Sequence, residues 1–307
     1  MKILIIRKKH IFLFTIIILF IATSSIIVFK NTYPKEESAF NPIDNAQTST
    51  LDLTGDGIED SLKVISEDGN IDIQIISKNR IFNLSKSCSN NILLNDSKSW
   101  PAKVYFKKLS RKKVPEIIVQ GCKDKSPVQY IFTWINGKFE NIFESKKNIL
   151  GILDSNENRT PQIYSLNSSS GNSSLESYMI IKNELLDITN DCKTIPDLSN
   201  VIALIDIIQK DYEVEDIPDI FKEGIPENEL GLLWNLDKEH NTYSFQDAFF
   251  YDENVNKENT ITTLKWRITF EKYVKSQSDS SKSELVFYVT TERTYDGSYK
   301  ISSLYIK

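Results

Sequence analysis

Residues 52–60 read Asp-Leu-Thr-Gly-Asp-Gly-Ile-Glu-Asp, and this stretch is the strongest local signal in the sequence. Oxygen-bearing side chains fall at its first, third, fifth and ninth positions, and glycine stands at the sixth. Calcium takes about six to eight oxygen ligands in proteins, and a tight loop can present alternate residues to one ion. The pattern predicts a calcium site whose ligands are Asp52, Thr54, Asp56, the carbonyl of Ile58, and Asp60.

The loop differs from an EF-hand, although both are rich in aspartate. An EF-hand loop places a bidentate glutamate at position 12, but Lys63 stands there in this chain. Residues 62–65 then predict a strand rather than the helix that follows an EF-hand loop. An Asx-rich turn, whose carboxylates only accept hydrogen bonds from backbone amides, is the other interpretation. Gly55 and Gly57, together with three correctly spaced aspartates, favour calcium.

The same register occurs twice more along the chain. Residues 108–116 and residues 154–162 each precede a short β-rich run, and their first positions are 56 and 46 residues apart. Such periods are typical of propeller-type repeats. A turn asparagine follows each first position by 27, 28 and 29 residues, at Asn79, Asn136 and Asn183. The spacing predicts three copies of one antiparallel unit between residues 50 and 190.

The two later copies lack most of the acidic side chains at the ligand positions. The second copy has Lys108, Lys112 and Lys113 at ligand and turn positions. A lysine ammonium can replace an ion there, so this loop is predicted to bind no metal. The third copy offers oxygens but only one negative charge, which predicts weak binding at best; its oxygen-bearing residues are Asp154, Asn156, Asn158 and Gln162.

Two-residue turns predict how each unit is built. Asp68-Gly69 and Asn136-Gly137 separate β-rich runs and are strong hairpin signals. A unit of this size must stack on its neighbours to bury both faces. The Asp-Leu-Thr-Gly-Asp-Gly loop, with its acidic residue and following strand, resembles the FG-GAP/VCBS repeats of integrin-like β-propellers.

That resemblance covers residues 50–190 and implies propeller-blade-like units with calcium in the loop between two strands. It implies the same ligands that the spacing predicts: Asp52, Thr54, Asp56, Ile58 and Asp60. Propellers close with about four to eight blades, so the closure of three units stays open.

The N-terminal segment predicts a membrane anchor. Residues 11–29 contain no charged side chain, and a spanning helix needs about 20 apolar residues. The basic residues before this run favour a cytoplasmic N-terminus with the rest outside the membrane. A cleaved signal peptide, whose apolar region would end at Ala22-Thr23-Ser24, is the alternative. We expect a tip and anchor in residues 1–30 and a linker in residues 31–49.

Charge and rare residues exclude several classes of partner and site. The net charge is −5, and residues 1–30 hold five basic and no acidic residues, so residues 31–307 carry −10. This acidic part argues against nucleic acid as a partner and favours divalent cations. Only His10 and His240 are histidines, which excludes a multi-histidine metal site. Among the three cysteines, a Cys88–Cys122 disulfide and three unpaired thiols are both left open.

Residues 195–307 predict a smaller α+β domain. Apolar residues at helical spacing predict a helix from near Asp197 or Ser199 to about Tyr212. Residues 215–236 are expected to form loops and short turns. Four β-rich runs follow, near residues 243–251, 264–271, 285–290 and 299–306. This order resembles cystatin-like or NTF2-like folds, so the fold class is mainly β with one such α+β domain.

The sequence contains no GxSxG, HExxH, P-loop or GxGxxG motif. Ser110 and Lys113 fit S-x-x-K but lie in the second repeat loop. We therefore expect a non-enzymatic, calcium-stabilised binding or scaffold module at the cell surface, with a surface protein or glycan as ligand. One alternative is an extracytoplasmic hydrolase using Asp237, Glu239 and His240 beside Trp234. Another is an oligomerising component of an envelope or sporulation machine.

Overall fold

The computed structural model describes residues 48–154, 160–191, 195–211, 218–258, 260–275 and 281–306. They belong to one compact unit that spans residues 40–307. The predicted anchor in residues 11–29 and most of the predicted linker lie outside the described residues. Within the described part, no helix is both long and apolar enough to cross a membrane.

The fold is mainly β, as predicted, and the described residues form three sheets. The first sheet contains β1 (Thr48–Leu51), β2 (Asp60–Glu67), β3 (Asn70–Ser77), β4 (Arg80–Asn83) and β5 (Leu94–Asn95). The second contains β6 (Lys103–Lys107), β7 (Glu116–Lys123), β8 (Ser126–Ile135) and β9 (Lys138–Ser145). The third begins with β10 (Ile149–Leu153), β11 (Gln162–Leu166), β12 (Glu176–Ile181) and β13 (Glu184–Asp187).

Each sheet contains the same four-stranded antiparallel meander, in the orders β1-β2-β3-β4, β6-β7-β8-β9 and β10-β11-β12-β13. The three Asp-register loops each join the first and second strands of a meander. The three turns singled out by their asparagines each join the third and fourth strands. Loop and turn therefore lie at the same end of every meander.

The predicted hairpin turns are confirmed. Asp68-Gly69 connects β2 to β3, where Glu67 pairs with Asn70, and Asn136-Gly137 connects β8 to β9. The first residue of each third-to-fourth-strand turn has a positive φ: 51° at Lys78, 49° at Asn136 and 52° at Lys182. Two-residue hairpin turns commonly require this left-handed backbone because it matches the strand twist.

The described residues of the second half, from 195 to 306, add two helices and four strands. They are α1 (Ser199–Gln209), α2 (Glu227–Trp234), β14 (Asn241–Val255), β15 (Ile261–Val274), β16 (Ser283–Arg293) and β17 (Tyr299–Ile306). The four predicted strands are confirmed, as is the first helix, whose Ser199 amide donates to Asp197. The expectation of only loops in residues 215–236 is wrong because α2 forms there.

The α1 helix packs on the sheet through its apolar stripe. Val201, Leu204 and Ile205 are buried in one cluster with Trp266 and Phe270 of β15. Burial of this stripe stabilises the helix more than its intrinsic propensity does. The predicted role of the helix, to cover the C-terminal sheet, is confirmed.

The third meander and the second half share one sheet of eight strands, in the order β13-β12-β11-β10-β14-β15-β16-β17. The joint is a parallel pairing of β10 with β14, which places Gly151 opposite Phe250. A Cβ atom on Gly151 would lie 2.0 Å from the Phe250 ring. Glycine is therefore required for this close approach, and the sheet continues across the expected boundary between residues 190 and 195.

Candidate functional site

The first loop is held in place by a buried carboxylate. Asp60 is 1% exposed, and its Oδ2 accepts hydrogen bonds from the backbone N–H groups of Leu53 at 2.8 Å and Thr54 at 3.0 Å. Hydrogen bonds to a charged acceptor are stronger than neutral ones. Asp60 therefore ties the start of the loop to the start of β2.

The other two aspartates also accept bonds from loop amides. Asp52 Oδ1 accepts from Gly55 at 2.6 Å and Asp52 Oδ2 from Gly57 at 2.9 Å. Asp56 Oδ1 accepts from the Ile58 amide at 2.9 Å. These bonds are those of the Asx-turn interpretation. In the described part of the chain, no three His, Cys, Asp or Glu side chains are grouped closely enough to hold a metal ion.

Asp56 also has a cationic partner that the sequence analysis did not identify. Lys78, in the turn between β3 and β4, places its Nζ 2.8 Å from Asp56 Oδ2. This hydrogen bond lowers the pKa of the Asp56 carboxyl and raises the pKa of the Lys78 ammonium. Both side chains are partly solvent-exposed, so solvent screens the pair.

Two of the predicted ligand atoms have unused hydrogen-bonding capacity. Thr54 Oγ1 and Asp60 Oδ1 are buried and have no hydrogen-bond partner among the described residues. The Thr54 side chain helps to lower the pKa of the Asp56 carboxyl. The contact between the two side chains does not have the geometry of a hydrogen bond, however. Buried polar atoms almost always have a partner in native proteins. The donor type of this loop, hard oxygens with three carboxylates, is the type that calcium prefers, although the three carboxylates are not gathered around one point.

The second loop repeats the same frame with different residues. Glu116 Oε2 accepts from the backbone N–H groups of Leu109 at 2.7 Å and Ser110 at 3.2 Å. The other oxygen, Oε1, accepts from the Ser110 hydroxyl and from Thr133 Oγ1 at 3.3 Å. Glu116 thus matches Asp60 in its backbone contacts, but both of its oxygens are partnered. The sequence analysis did not single out this ninth-position carboxylate as the residue that fastens the loop.

The lysines of the second loop do not pair with its carboxylate. Lys112, at the position of Asp56, donates from Nζ to Thr133 Oγ1 at 3.2 Å. Lys108 and Lys113 are exposed and form no ion pair within the described residues. Lys112 therefore reaches the Glu116 carboxylate only through the Thr133 hydroxyl, and the prediction that this loop binds no metal stays a prediction.

The first and second loops are in contact. A Cβ atom on Gly55 would lie 3.1 Å from Val114 Cγ1, and Gly55 has a φ of +77°. Arg111 holds the corresponding fourth position with a φ of +58°. The third loop is only partly described: the Asp154 amide donates to Asp252 Oδ1 at 2.9 Å, and residues 155–159, with predicted Asn156 and Asn158, lie outside the described residues.

The residues of the hydrolase alternative lie on an exposed turn. His240 Nδ1 is 2.9 Å from Asp237 Oδ1, with the two side chains 64% and 55% exposed. The hydrogen bond raises the pKa of His240 and lowers that of Asp237. Ser110 of the S-x-x-K match donates its hydroxyl to Glu116 rather than to a lysine. Neither arrangement pairs an activated nucleophile with an enclosed pocket.

A buried charge cluster joins the second meander to the second half. Lys103, only 1% exposed, lies 2.7 Å from Asp247 Oδ2 and 3.5 Å from Glu284 Oε1. Arg267 lies 3.2 Å from the same Glu284 oxygen. Burial lowers the pKa of Lys103, and Asp247 opposes that shift. Sequence reasoning missed this cluster because its members are far apart along the chain.

The two described cysteines are separate thiols. Cys88 and Cys122 are both buried and free, so the structure has the unpaired arrangement for these two residues. Burial raises the pKa of the Cys88 thiol to about 12, which keeps it protonated and unreactive at neutral pH. Cys192 lies outside the described residues.

Comparison with known proteins yields no relative: no family model, no curated protein and no solved structure matches this chain. The assignment of function therefore rests on the residues and contacts described above.

Proposed function

We propose that the chain is a membrane-anchored, extracytoplasmic binding or scaffold protein without enzymatic activity, whose first loop binds one calcium ion. The observation that carries the calcium proposal is the pair of buried, unpartnered oxygens, Thr54 Oγ1 and Asp60 Oδ1. The proposed ligands are Asp52, Thr54, Asp56, the Ile58 carbonyl, and Asp60.

The second loop serves as an internal reference for this argument. There the third-position hydroxyl of Ser110 bonds the ninth-position carboxylate of Glu116. In the first loop the equivalent atoms belong to Thr54 and to the shorter Asp60, and they are not bonded to each other. A buried polar group without a partner costs about 1–3 kcal/mol. Coordination of a cation by both oxygens would offset that cost.

Calcium would act as a stabilising ligand of the loop rather than as a reagent. Extracellular calcium modules bind with dissociation constants of about 10⁻⁴–10⁻³ M. At a free calcium concentration about ten times the dissociation constant, the ion stabilises the folded state by about 1.4 kcal/mol. We expect the domain to stay folded when calcium is chelated, since Asp60 and the other aspartates already hold the loop amides.

The topology supports a propeller-like interpretation of the repeats. Three meanders of four antiparallel strands follow one another, and each carries its loop between the first two strands. On this proposal the residues after 195 form a cystatin-like or NTF2-like helix-and-sheet domain. Its strand β14 pairs with β10, so the second half would complete the third unit in place of further blades.

The location and partners follow from the charge of the chain. An uncleaved anchor in residues 11–29 would tether an acidic bulk outside the membrane. Such a surface does not suit nucleic acid, and a cell-surface protein or a glycan is the ligand that we propose.

A calcium titration tests the proposal. We would follow heat release with the full chain in detergent, beside Asp56→Ala and the control Asp68→Asn, an exposed turn residue with a φ of 50°. We expect saturable one-site binding in wild type and in the control, and its loss in Asp56→Ala. No heat in wild type up to several millimolar calcium would refute the calcium site.

The hydrolase alternative has one observation in its favour, the 2.9 Å contact between His240 and Asp237. A His240→Ala variant distinguishes the two functions. We expect the His240→Ala variant to bind calcium as wild type does and to lose no hydrolytic activity. A hydrolytic activity of wild type that disappears in this variant would favour the alternative.

A further inference from the structure

Lys78 reaches the first loop from a different part of the first meander. It stands in the two-residue turn between β3 and β4, with a φ of +51°, and the loop lies at the same end of the sheet. Its Nζ is 2.8 Å from Asp56 Oδ2. The fifth-position carboxylate of the loop therefore already has a cation beside it.

This contact differs from those of the other two loop aspartates. Asp52 and Asp60 accept hydrogen bonds from backbone N–H groups, which leaves lone pairs on their oxygens for a metal ion. Asp56 accepts one such bond on Oδ1, from the Ile58 amide, but its Oδ2 faces a full positive charge. A divalent cation that used Asp56 Oδ2 would be repelled by an ammonium at that distance, and the ammonium would have to move.

We propose that Lys78 sets the calcium affinity of the first loop, because its ammonium and calcium are mutually exclusive partners of Asp56. This inference rests on the proposed calcium site and adds its regulation. Calcium binding releases the Lys78 side chain to solvent, where it is already 57% exposed. Because this release disturbs no buried contact, the competition between calcium and Lys78 concerns only the charge of Asp56.

The equivalent turns of the other units provide controls. The second meander has Asn136 at this position, and its loop carries Lys112 instead of an aspartate. The third meander has Lys182, with a φ of +52°, which is exposed and forms no ion pair within the described residues. Lys182 thus matches Lys78 in residue type and backbone, but not in its partner.

The experiment measures the calcium dissociation constant of the full chain in detergent by calorimetry. The variants are Lys78→Met, Lys78→Arg and the control Lys182→Met. Exposed ion pairs are weak, so we expect Lys78→Met to bind calcium about two- to fivefold more tightly. Lys78→Arg keeps the charge and should resemble wild type, as should Lys182→Met. Melting of each variant without calcium checks that the fold is unchanged.

The outcomes separate this inference from the proposed function. If wild type binds calcium and Lys78→Met binds it equally or less tightly, Lys78 does not compete and the inference is wrong. If neither wild type nor any variant binds calcium, the calcium site itself fails. If binding is measurable only in Lys78→Met, the competition is supported in its strongest form.

Discussion

The first and second loops lie side by side, are fastened by the same type of contact and carry opposite charges. In both, a buried carboxylate at the ninth position accepts the amides of the second and third positions: Asp60 in the first loop and Glu116 in the second. Aspartates fill the first and fifth positions of the first loop, whereas lysines fill them in the second.

The comparison teaches that the frame does not depend on the exposed acids. The second loop keeps the ninth-position contacts and the positive φ at its fourth position with lysines where Asp52 and Asp56 stand in the first. Asp52 and Asp56 are therefore not needed for the shared contacts, although both also bond amides of their own loop. Their carboxylates are of the type that binds a hard cation. The ninth-position carboxylate belongs to the frame in both loops.

The largest effect is expected when the fastening carboxylate is removed. Asp60→Ala and Glu116→Ala each leave two backbone N–H groups without their charged acceptor, and each should lower the free energy of unfolding by about 2–4 kcal/mol. Urea denaturation without calcium measures both. Similar losses of stability would support the same fastening role for Asp60 and Glu116. A loss confined to one variant would contradict it.

A second prediction concerns the fourth position, where the loops differ in backbone freedom. Gly55→Ala places a Cβ 3.1 Å from Val114 and at a φ of +77°, so it should destabilise the protein by about 1–2 kcal/mol. Arg111→Ala changes no backbone requirement, since Arg111 already has a φ of +58°, and should stay within about 0.5 kcal/mol. Thermal melting of the two variants is the measurement, and an equal loss in both would contradict this account.

A third prediction converts the first loop toward the second. Asp60→Glu adds one methylene, which lets the carboxylate reach the Thr54 hydroxyl as Glu116 reaches Ser110. We expect calcium affinity to fall about tenfold, equivalent to 1.4 kcal/mol, while stability without calcium changes little. Calorimetry gives the affinity and urea denaturation the stability. Unaltered calcium affinity would show that the two unpartnered oxygens are not ligands.

The smallest effect concerns acid sensitivity. The hydrogen bond from Lys78 lowers the Asp56 pKa from its ordinary value of 3.8. A carboxyl with a depressed folded-state pKa contributes stability above its unfolded pKa, and that contribution is lost as the pH falls through the folded-state pKa. Asp56→Asn should therefore lose slightly less stability than wild type below about pH 4. Urea midpoints across this range test the sign, and a greater loss in Asp56→Asn would contradict it.

The features that the sequence predicted are those set by neighbouring residues. Two-residue turns such as Asp68-Gly69, the alternation of β15 and the helical spacing of α1 are local patterns, and the structure contains all of them. The α2 helix was missed because Pro226 precedes it and Gly231 lies inside it, and both residues are typical of loops. Proline suits a helix start, however, and the acidic first turn of α2 favours its N-terminus.

The features that the sequence did not predict depend on distant pairings. Lys103 donates a hydrogen bond to Asp247, 144 residues away along the chain, and no local sequence pattern predicts such a pair. The parallel pairing of β10 with β14 is equally remote along the chain. For the candidate site, spacing identified the oxygen-bearing residues, but the contact of Lys78 with Asp56 required the meander to be folded.

The first loop is proposed to bind calcium, whereas the second loop, fastened by the same kind of ninth-position carboxylate, is not. The most direct test is a calcium titration of the isotope-labelled chain, followed through its backbone amide resonances. We predict saturable shifts in residues 52–60 and in the Lys78–Asn79 turn, with none in the fastening amides of Leu109 and Ser110. Shifts of equal size in both loops, or none in either up to several millimolar calcium, would contradict the account.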